Sequence, residues 1–213
     1  MIDSYDKLTV GKYLELLDII EDNELADIDK NASIIALLDD KEVDMVYDLP
    51  LTEFNGLMQK TAFLYNEPKP MQVSTVYKLG GMELEAMLNL EKLTTAQFID
   101  YQAFVKDSKK MVELLSVFLV PKGKKYNKDY NIIEVHKVIR DNMPITQAMG
   151  LSAFFLDLYK ALYETTLTYL IKKMKRMKKR EKDKEKVRML EQVIANLVQS
   201  GVGWHLLTEQ AKR

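Results

Sequence analysis

Side chains able to do chemistry are thinly spread in this sequence. Histidine occurs twice, as His136 and His205, and neither has a second histidine or a carboxylate at metal-ligand spacing on a clear helix face. Cysteine is absent, which excludes disulfides, zinc knuckles, iron–sulfur clusters and thiol nucleophiles. No serine stands in a Gly-x-Ser-x-Gly elbow. Gly80-Gly81 and Lys122-Gly123-Lys124 are the glycine features that could approach a phosphate, and neither extends into a phosphate-loop or dinucleotide fingerprint. The stretch from Pro121 to Tyr126 reads as an exposed turn with solvated lysines. Asp18, Glu21, Asp22, Glu24, Asp27 and Asp29 lack the Asp-x-Asp-x-Asp-Gly core and closing glutamate of a calcium loop, so they read as a solvated acidic connector. The expectation is a chain with no catalytic residue, no metal ligand and no cofactor site.

Charge placement is the feature that points towards function. The formal net charge is only −1, yet residues 1–60 carry fifteen acids and five bases, while residues 172–188 carry eleven bases and three acids. Lys172, Lys173, Lys175, Arg176, Lys178, Lys179 and Arg180 are the candidate partner-binding residues. Three uses of the run stay open: docking on an acidic protein surface, in this chain or a neighbour; binding nucleic acid through its phosphates; or solvation of a helical hairpin. The run holds no aromatic residue, so it offers no base stacking.

The elements that must carry these residues are helices. Eight glycines and five prolines in 213 residues leave room for long helices with short connections. The sequence repeats a helix start: Lys7-Leu8-Thr9-Val10-Gly11-Lys12-Tyr13-Leu14-Glu15 matches Lys92-Leu93-Thr94-Thr95-Ala96-Gln97-Phe98-Ile99-Asp100. Threonine before an apolar-periodic run is an N-cap, because its hydroxyl can accept from a free backbone N–H of the first turn. Further on, Glu42-Val43-Asp44-Met45-Val46 matches Glu134-Val135-His136-Lys137-Val138, and Leu49-Pro50-Leu51-Thr52 matches Met143-Pro144-Ile145-Thr146. The ordered matches predict two diverged helical modules packed as pseudo-symmetric halves, with Tyr13 and Phe98 at equivalent buried positions.

Between them, Gly80-Gly81 sits among alternating apolar and polar residues, a β-hairpin signal because both centre residues of a type I′ turn need positive φ. A loop followed by a helix is the competing reading, since the residues from Glu83 to Leu88 are good helix formers. After Thr146 an apolar face runs through Leu151, Phe154, Phe155, Leu158, Leu162, Leu167 and Leu170, followed by the basic run and a second stripe at Val187, Leu190, Ile194 and Leu197. This predicts a long helical pair turning near residues 179–184, ended by Gly201 and Gly203, with a short terminal turn around Trp204. The expected organisation is a first module over 1–66, a hairpin connector over 67–91, a second module over 92–170 and a basic helical hairpin with C-terminal turn over 171–213. The fold class is mainly α. The first residues lack a basic start and an apolar core, so a signal peptide is not expected. Apolar stretches such as 114–120 are too short for a membrane helix.

The Leu8–Glu15 and Lys92–Asp100 blocks, the hairpin around Tyr77 to Met82 and the run from Leu114 to Pro121 resemble small helical proteins encoded among the structural genes of tailed bacteriophages, particularly phages of gut Bacteroidetes. Such proteins are often grouped with tail or baseplate assembly chaperones. The resemblance covers residues 5–160 loosely and rests on cap and core patterns. It implies a non-enzymatic role in virion assembly or structure, located in the host cytoplasm or the virion. The implied partners are phage structural proteins or further copies of the chain, with no membrane. A nucleic-acid-binding accessory protein using residues 172–188 is the alternative.

Overall fold

The structure, a computed structural model, describes residues 1–89, 92–105, 107–180, 183, 185–189, 191–193 and 195, with the backbone alone at 108, 158–168, 170 and 180. It is mainly helical with a small three-stranded antiparallel sheet. Two compact units are distinguished, Met1–Phe155 and Leu156–Arg213.

The first unit opens with α1 (Val10–Glu21), α2 (Asp27–Asp39), the short α3 (Val43–Tyr47) and α4 (Leu51–Lys60), which tightens into a 3-10 turn over Thr61–Tyr65. The expected cap is in place: Thr9 Oγ1 accepts from the Lys12 N–H at 3.4 Å. The chain ends α2 through Asp40 in the left-handed conformation, φ 53°. Ala32, Ile35, Ala36 and Val46 form a buried cluster, with Met1, Val43, Leu49, Phe54, Leu57 and Met58 packed around it.

The hairpin reading holds. β1 (Val76–Leu79) and β2 (Met82–Ala86) pair antiparallel, with Leu79 opposite Met82. Gly80 and Gly81 take φ of 52° and 82°, as the tight turn requires. Tyr77, Leu79 and Leu84 are buried. The sequence reading did not foresee β3 (Leu119–Pro121), which pairs with β2 and completes the sheet. Its residues continue an apolar helix, so periodicity does not separate them from it; pairing with β2 decides the backbone there.

The second run of helices is α5 (Thr95–Phe104), α6 (Met111–Phe118), α7 (Ile132–Asn142) and α8 (Ile145–Arg180). Thr94 caps α5 with a full capping box: its Oγ1 accepts from the Gln97 N–H at 3.3 Å, and Gln97 Oε1 accepts from the Thr94 N–H at 3.1 Å. The expected burial of Phe98 is wrong. Phe98 is 41% exposed, and the face that packs carries Gln97 and Tyr101. Tyr13 is half-buried, and α1 buries Val10, Gly11 and Leu16 instead. The cap fixes where each helix starts, not which way it is turned; tertiary packing sets the latter.

Leu8 and Ile145 knot the unit together. The Val10 N–H donates to Met143 O at 2.9 Å and the Ile145 N–H to Leu8 O at 2.8 Å, flanking an antiparallel bridge between Thr9 and Pro144. Leu8, Val10, Met143 and Ile145 are fully buried there. Two glycines allow close approach. A Cβ on Gly11 would lie 2.7 Å from Arg140 Cγ, and one on Gly150 would lie 2.0 Å from Met71 O. The second contact holds an extended strap against the start of α8, where the Met71 N–H also donates to Thr146 O at 2.9 Å. Tyr101, Phe118 and Phe155 continue the core as an aromatic stack, with Phe118 and Phe155 ring centroids 3.6 Å apart.

Candidate functional site

The basic run lies on the last turns of α8, in the second unit. Lys172, Lys173, Lys175, Arg176 and Lys179 are exposed, and Lys178 is partly covered and ion-paired with Glu191. The backbone of Arg180 is the last residue of the helix. Asp183 Oδ1 accepts from the Glu185 N–H at 2.9 Å, and the Val187 N–H donates to Asp183 O at 3.0 Å. A new helical segment therefore starts there with an aspartate cap, beside the stretch 179–184 where the sequence predicts a turn. His205, Trp204, Gly201, Gly203, Leu190, Ile194 and Leu197 lie outside the described residues.

Apolar side chains sit among these cations. Ile171 and Met174 are half-buried, while Met177, Met189 and Val193 are exposed. Helical lysines three and four apart repel one another by a few tenths of a kcal/mol per pair. The run therefore combines dense positive charge with apolar contact area.

A surface of opposite character lies in the first unit, on α2, α3 and the start of α4. Asp27, Glu42, Asp44 and Asp48 are exposed and make no ion pair among the described residues. Ile28, Met45, Tyr47 and Leu51 are exposed between them, Leu51 to 70%. The length of α3 explains Met45 and Tyr47. Five residues make little more than one turn, so Val46 is buried with Val43 packed beside it, while Met45 and Tyr47 face out. The Tyr47 hydroxyl donates to Asp29 Oδ1 at 2.9 Å, joining α3 to α2 and raising the pKa of the phenol through that bond. Sequence reasoning found the acids and missed the apolar residues, although Asp27-Ile28-Asp29 and Asp44-Met45 place them side by side.

Chemistry elsewhere is structural. Ser116 Oγ lies 2.9 Å from His136 Nε2, a pair that twenty residues of separation hid in the sequence. The geometry does not make a nucleophile. The hydroxyl proton is committed to Glu113 O at 2.7 Å, so Oγ is left to accept from the imidazole, and Ser116 is buried. Burial lowers the His136 pKa, partly opposed by Glu113. The acidic connector is not wholly solvated: Lys109 Nζ reaches Asp18 at 2.6 Å, and Arg140 reaches Glu15 at 3.0 Å. These residues line a shallow groove with Leu14, Leu17 and Glu21. The Pro121 to Tyr126 turn forms as read, closed by the Lys124 N–H on Pro121 O at 2.9 Å, and Lys122 is paired with Glu83 at 2.7 Å rather than simply solvated. Tyr126 donates to Asp100 at 2.8 Å, and its burial, with that bond, raises the phenol pKa strongly.

Among the described residues, no group of three or more potential ligands could hold a metal ion, and no helix is long and apolar enough to cross a membrane. Comparison of the chain with models of protein families, with curated proteins and with solved structures returns no match.

Proposed function

We propose that this chain is a non-enzymatic assembly or structural protein of a tailed bacteriophage, similar in role to a tail or baseplate assembly chaperone, and that it works by protein–protein contact through the basic stretch of α8. One observation carries the protein-contact part: exposed Met177 stands among the exposed lysines and arginine of α8, and Met189 and Val193 are exposed on the segment that follows. A phosphate backbone calls for cations and has no use for apolar side chains between them, whereas a protein partner uses both. Methionine suits such a surface because its flexible thioether adapts to different neighbours. The phage assignment rests on the sequence resemblance.

Internal duplication belongs to the same proposal. Thr9 O and Thr94 O accept from the Tyr13 and Phe98 N–H groups at 2.9 and 3.0 Å. Pro50 O accepts from Glu53 and Phe54, and Pro144 O from Gln147 and Ala148, within 2.9–3.1 Å. Lys12 Nζ and Gln97 Nε2 each donate to a carbonyl near the end of the following helix, Leu37 O at 3.1 Å and Val117 O at 2.8 Å. These correspondences support two copies of one module in the same helix order. The bridge between Thr9 and Pro144 and the strand β3 mark where the copies have diverged.

The test replaces Lys172, Lys173, Lys175, Arg176, Lys178 and Lys179 by glutamine. Loss of association with itself or with co-expressed structural proteins of its own genome is expected. Loss of binding to non-specific DNA, with protein association unchanged, would overturn the reading in favour of a nucleic-acid-binding accessory protein. Mass spectrometry of purified particles then separates a virion component from a chaperone.

A further inference from the structure

We infer that the acidic, apolar-studded surface of α2, α3 and α4 is the receptor for the basic α8 stretch of a second copy, so that copies associate head to tail. This rests on the protein-contact reading of α8 and names the partner and the surface.

The two surfaces match in both of the properties that make an interface. One presents uncompensated carboxylates, with Asp27, Asp44 and Asp48 exposed and without an ion pair among the described residues. The other presents exposed Lys172, Lys173, Lys175, Arg176 and Lys179 in consecutive turns of one helix. Each also exposes large apolar side chains within its charge: Met45 and Leu51 on the first, and Met177 on the second, with Met189 exposed on the segment that follows α8. An apolar centre ringed by complementary charge is the usual anatomy of a specific interface. Bringing the surfaces together relieves repulsion within each, which a neutral partner would not do. A basic helix laying its apolar side chains on an acidic face also follows a common mode of helix recognition.

The contact is heterologous: the receptor of one copy is filled by the helix of the next, leaving a free helix and a free receptor at the ends. Repetition gives a closed ring or an open filament, depending on the rotation between copies. Self-assembly of this kind is what a component of a tail or baseplate would use.

The geometry allows a complementation test with the full-length chain. One variant carries Asp27→Asn, Asp44→Asn, Asp48→Asn and Leu51→Ser; the other carries Lys172→Gln, Lys173→Gln, Lys175→Gln and Arg176→Gln. Circular dichroism melting confirms that each folds. By light scattering after size exclusion, the wild type is expected to form oligomers, and each variant alone a monomer. An equimolar mixture is expected to stop at a 1:1 dimer, because each variant keeps the half that the other has lost. A Lys172→Arg, Lys173→Arg, Lys175→Arg chain retains the charge and is expected to associate as the wild type does. A wild type that stays monomeric at high concentration overturns the inference, as does a mixture that forms no dimer. Self-association that needs the basic residues but ignores the acidic-face variant overturns the assignment of this surface and leaves the assembly reading intact. DNA binding lost in the glutamine variant, without any self-association in the wild type, overturns both.

Discussion

Thr9 and Thr94 start α1 and α5 after the same Lys-Leu-Thr and with the same capping bond, yet apart from Leu16 and Tyr101, which are buried at matching positions, the two helices bury different ones. At the first, Leu8 and Val10 are sealed into the core by main-chain bonds to Met143 and Ile145. At the second, Leu93 is only half-buried, Thr94 and Thr95 are exposed, and burial moves inward along the helix to Gln97 and Tyr101. A cap is satisfied by the helix's own first turn and so forms whatever the helix packs against. A buried face depends on what lies across from it, and here the neighbours differ: α2, α7 and the Met143–Ile145 segment for α1, and α6 with the aromatic stack for α5.

Alanine substitutions break this comparison open most forcefully. Tyr101→Ala removes a ring that is 1% exposed and packed edge-on to Phe118, and should cost about 3–5 kcal/mol in denaturant unfolding. Phe98→Ala, at the position that the repeat would have made the core residue, should cost less than about 1 kcal/mol. Leu8→Ala should cost about 2–5 kcal/mol, and Leu93→Ala markedly less. Equal losses at Tyr101 and Phe98, which are neighbours three residues apart on the helix, would mean that Phe98 is buried beside Tyr101.

The third residue of each helix sharpens the same contrast. Gln97 is fully buried, donating to Val117 O at 2.8 Å while its Oε1 closes the capping box at 3.1 Å. Gln97→Met leaves buried partners unmatched and should cost about 1–3 kcal/mol. Lys12 makes the corresponding bond to Leu37 O, but its ammonium also meets the largely exposed Asp40 at 2.6 Å. Lys12→Met lets water reach those partners and should cost about 1 kcal/mol or less. A larger loss at Lys12 than at Gln97 would contradict this account. Below both come the caps themselves: Thr9→Ala and Thr94→Ala should each cost about 1 kcal/mol, Thr94 slightly more because the substitution also opens the reciprocal Gln97 bond. Indistinguishable stability of both alanine variants and the wild type would show that the caps contribute nothing.

What could be read from the sequence divides along the same line. Helix starts at Thr9 and Thr94, the glycine turn at Gly80-Gly81 and the end of α8 near residue 180 follow from local chemistry and were legible. Strand β3 was not, because residues 119–121 owe their backbone to a partner strand more than thirty residues away. Phe98 was misread for a related reason, since its repeat position predicts burial only if the repeat's neighbours also repeat. At the candidate interface the charges were legible, as composition is local. The exposed Ile28, Met45 and Leu51 were not, because periodicity assigns apolar residues on helices inward by default, whereas Ile28 and Leu51 stand at the first turns of α2 and α4 and Met45 on the short α3.

The smallest expected effect lies at His136 on α7, which is half-buried, whereas Asp44, at the matching place in the Glu42–Val46 block, is exposed. Burial holds the His136 pKa below its ordinary value of 6.5, so the folded state prefers the neutral ring, which donates from Nε2 to Ser116. The unfolded chain takes up its proton first as the pH falls. His136 therefore contributes stability that is fully present above about pH 6.5 and declines as the pH drops through the folded value. The carboxylates whose pKa values are lowered by lysine partners or the N-terminal ammonium, such as Asp3, Asp39 and Glu83, act in the same direction but only at still lower pH. Subtracting the unfolding free energy of a His136→Gln variant from that of the wild type at each pH isolates the imidazole. That difference should favour the wild type most at pH 7.5 and shrink steadily towards pH 5. A difference that grows on acidification would mean that the folded state welcomes the proton, and the Glu113 carboxylate, rather than burial, would then govern the ring.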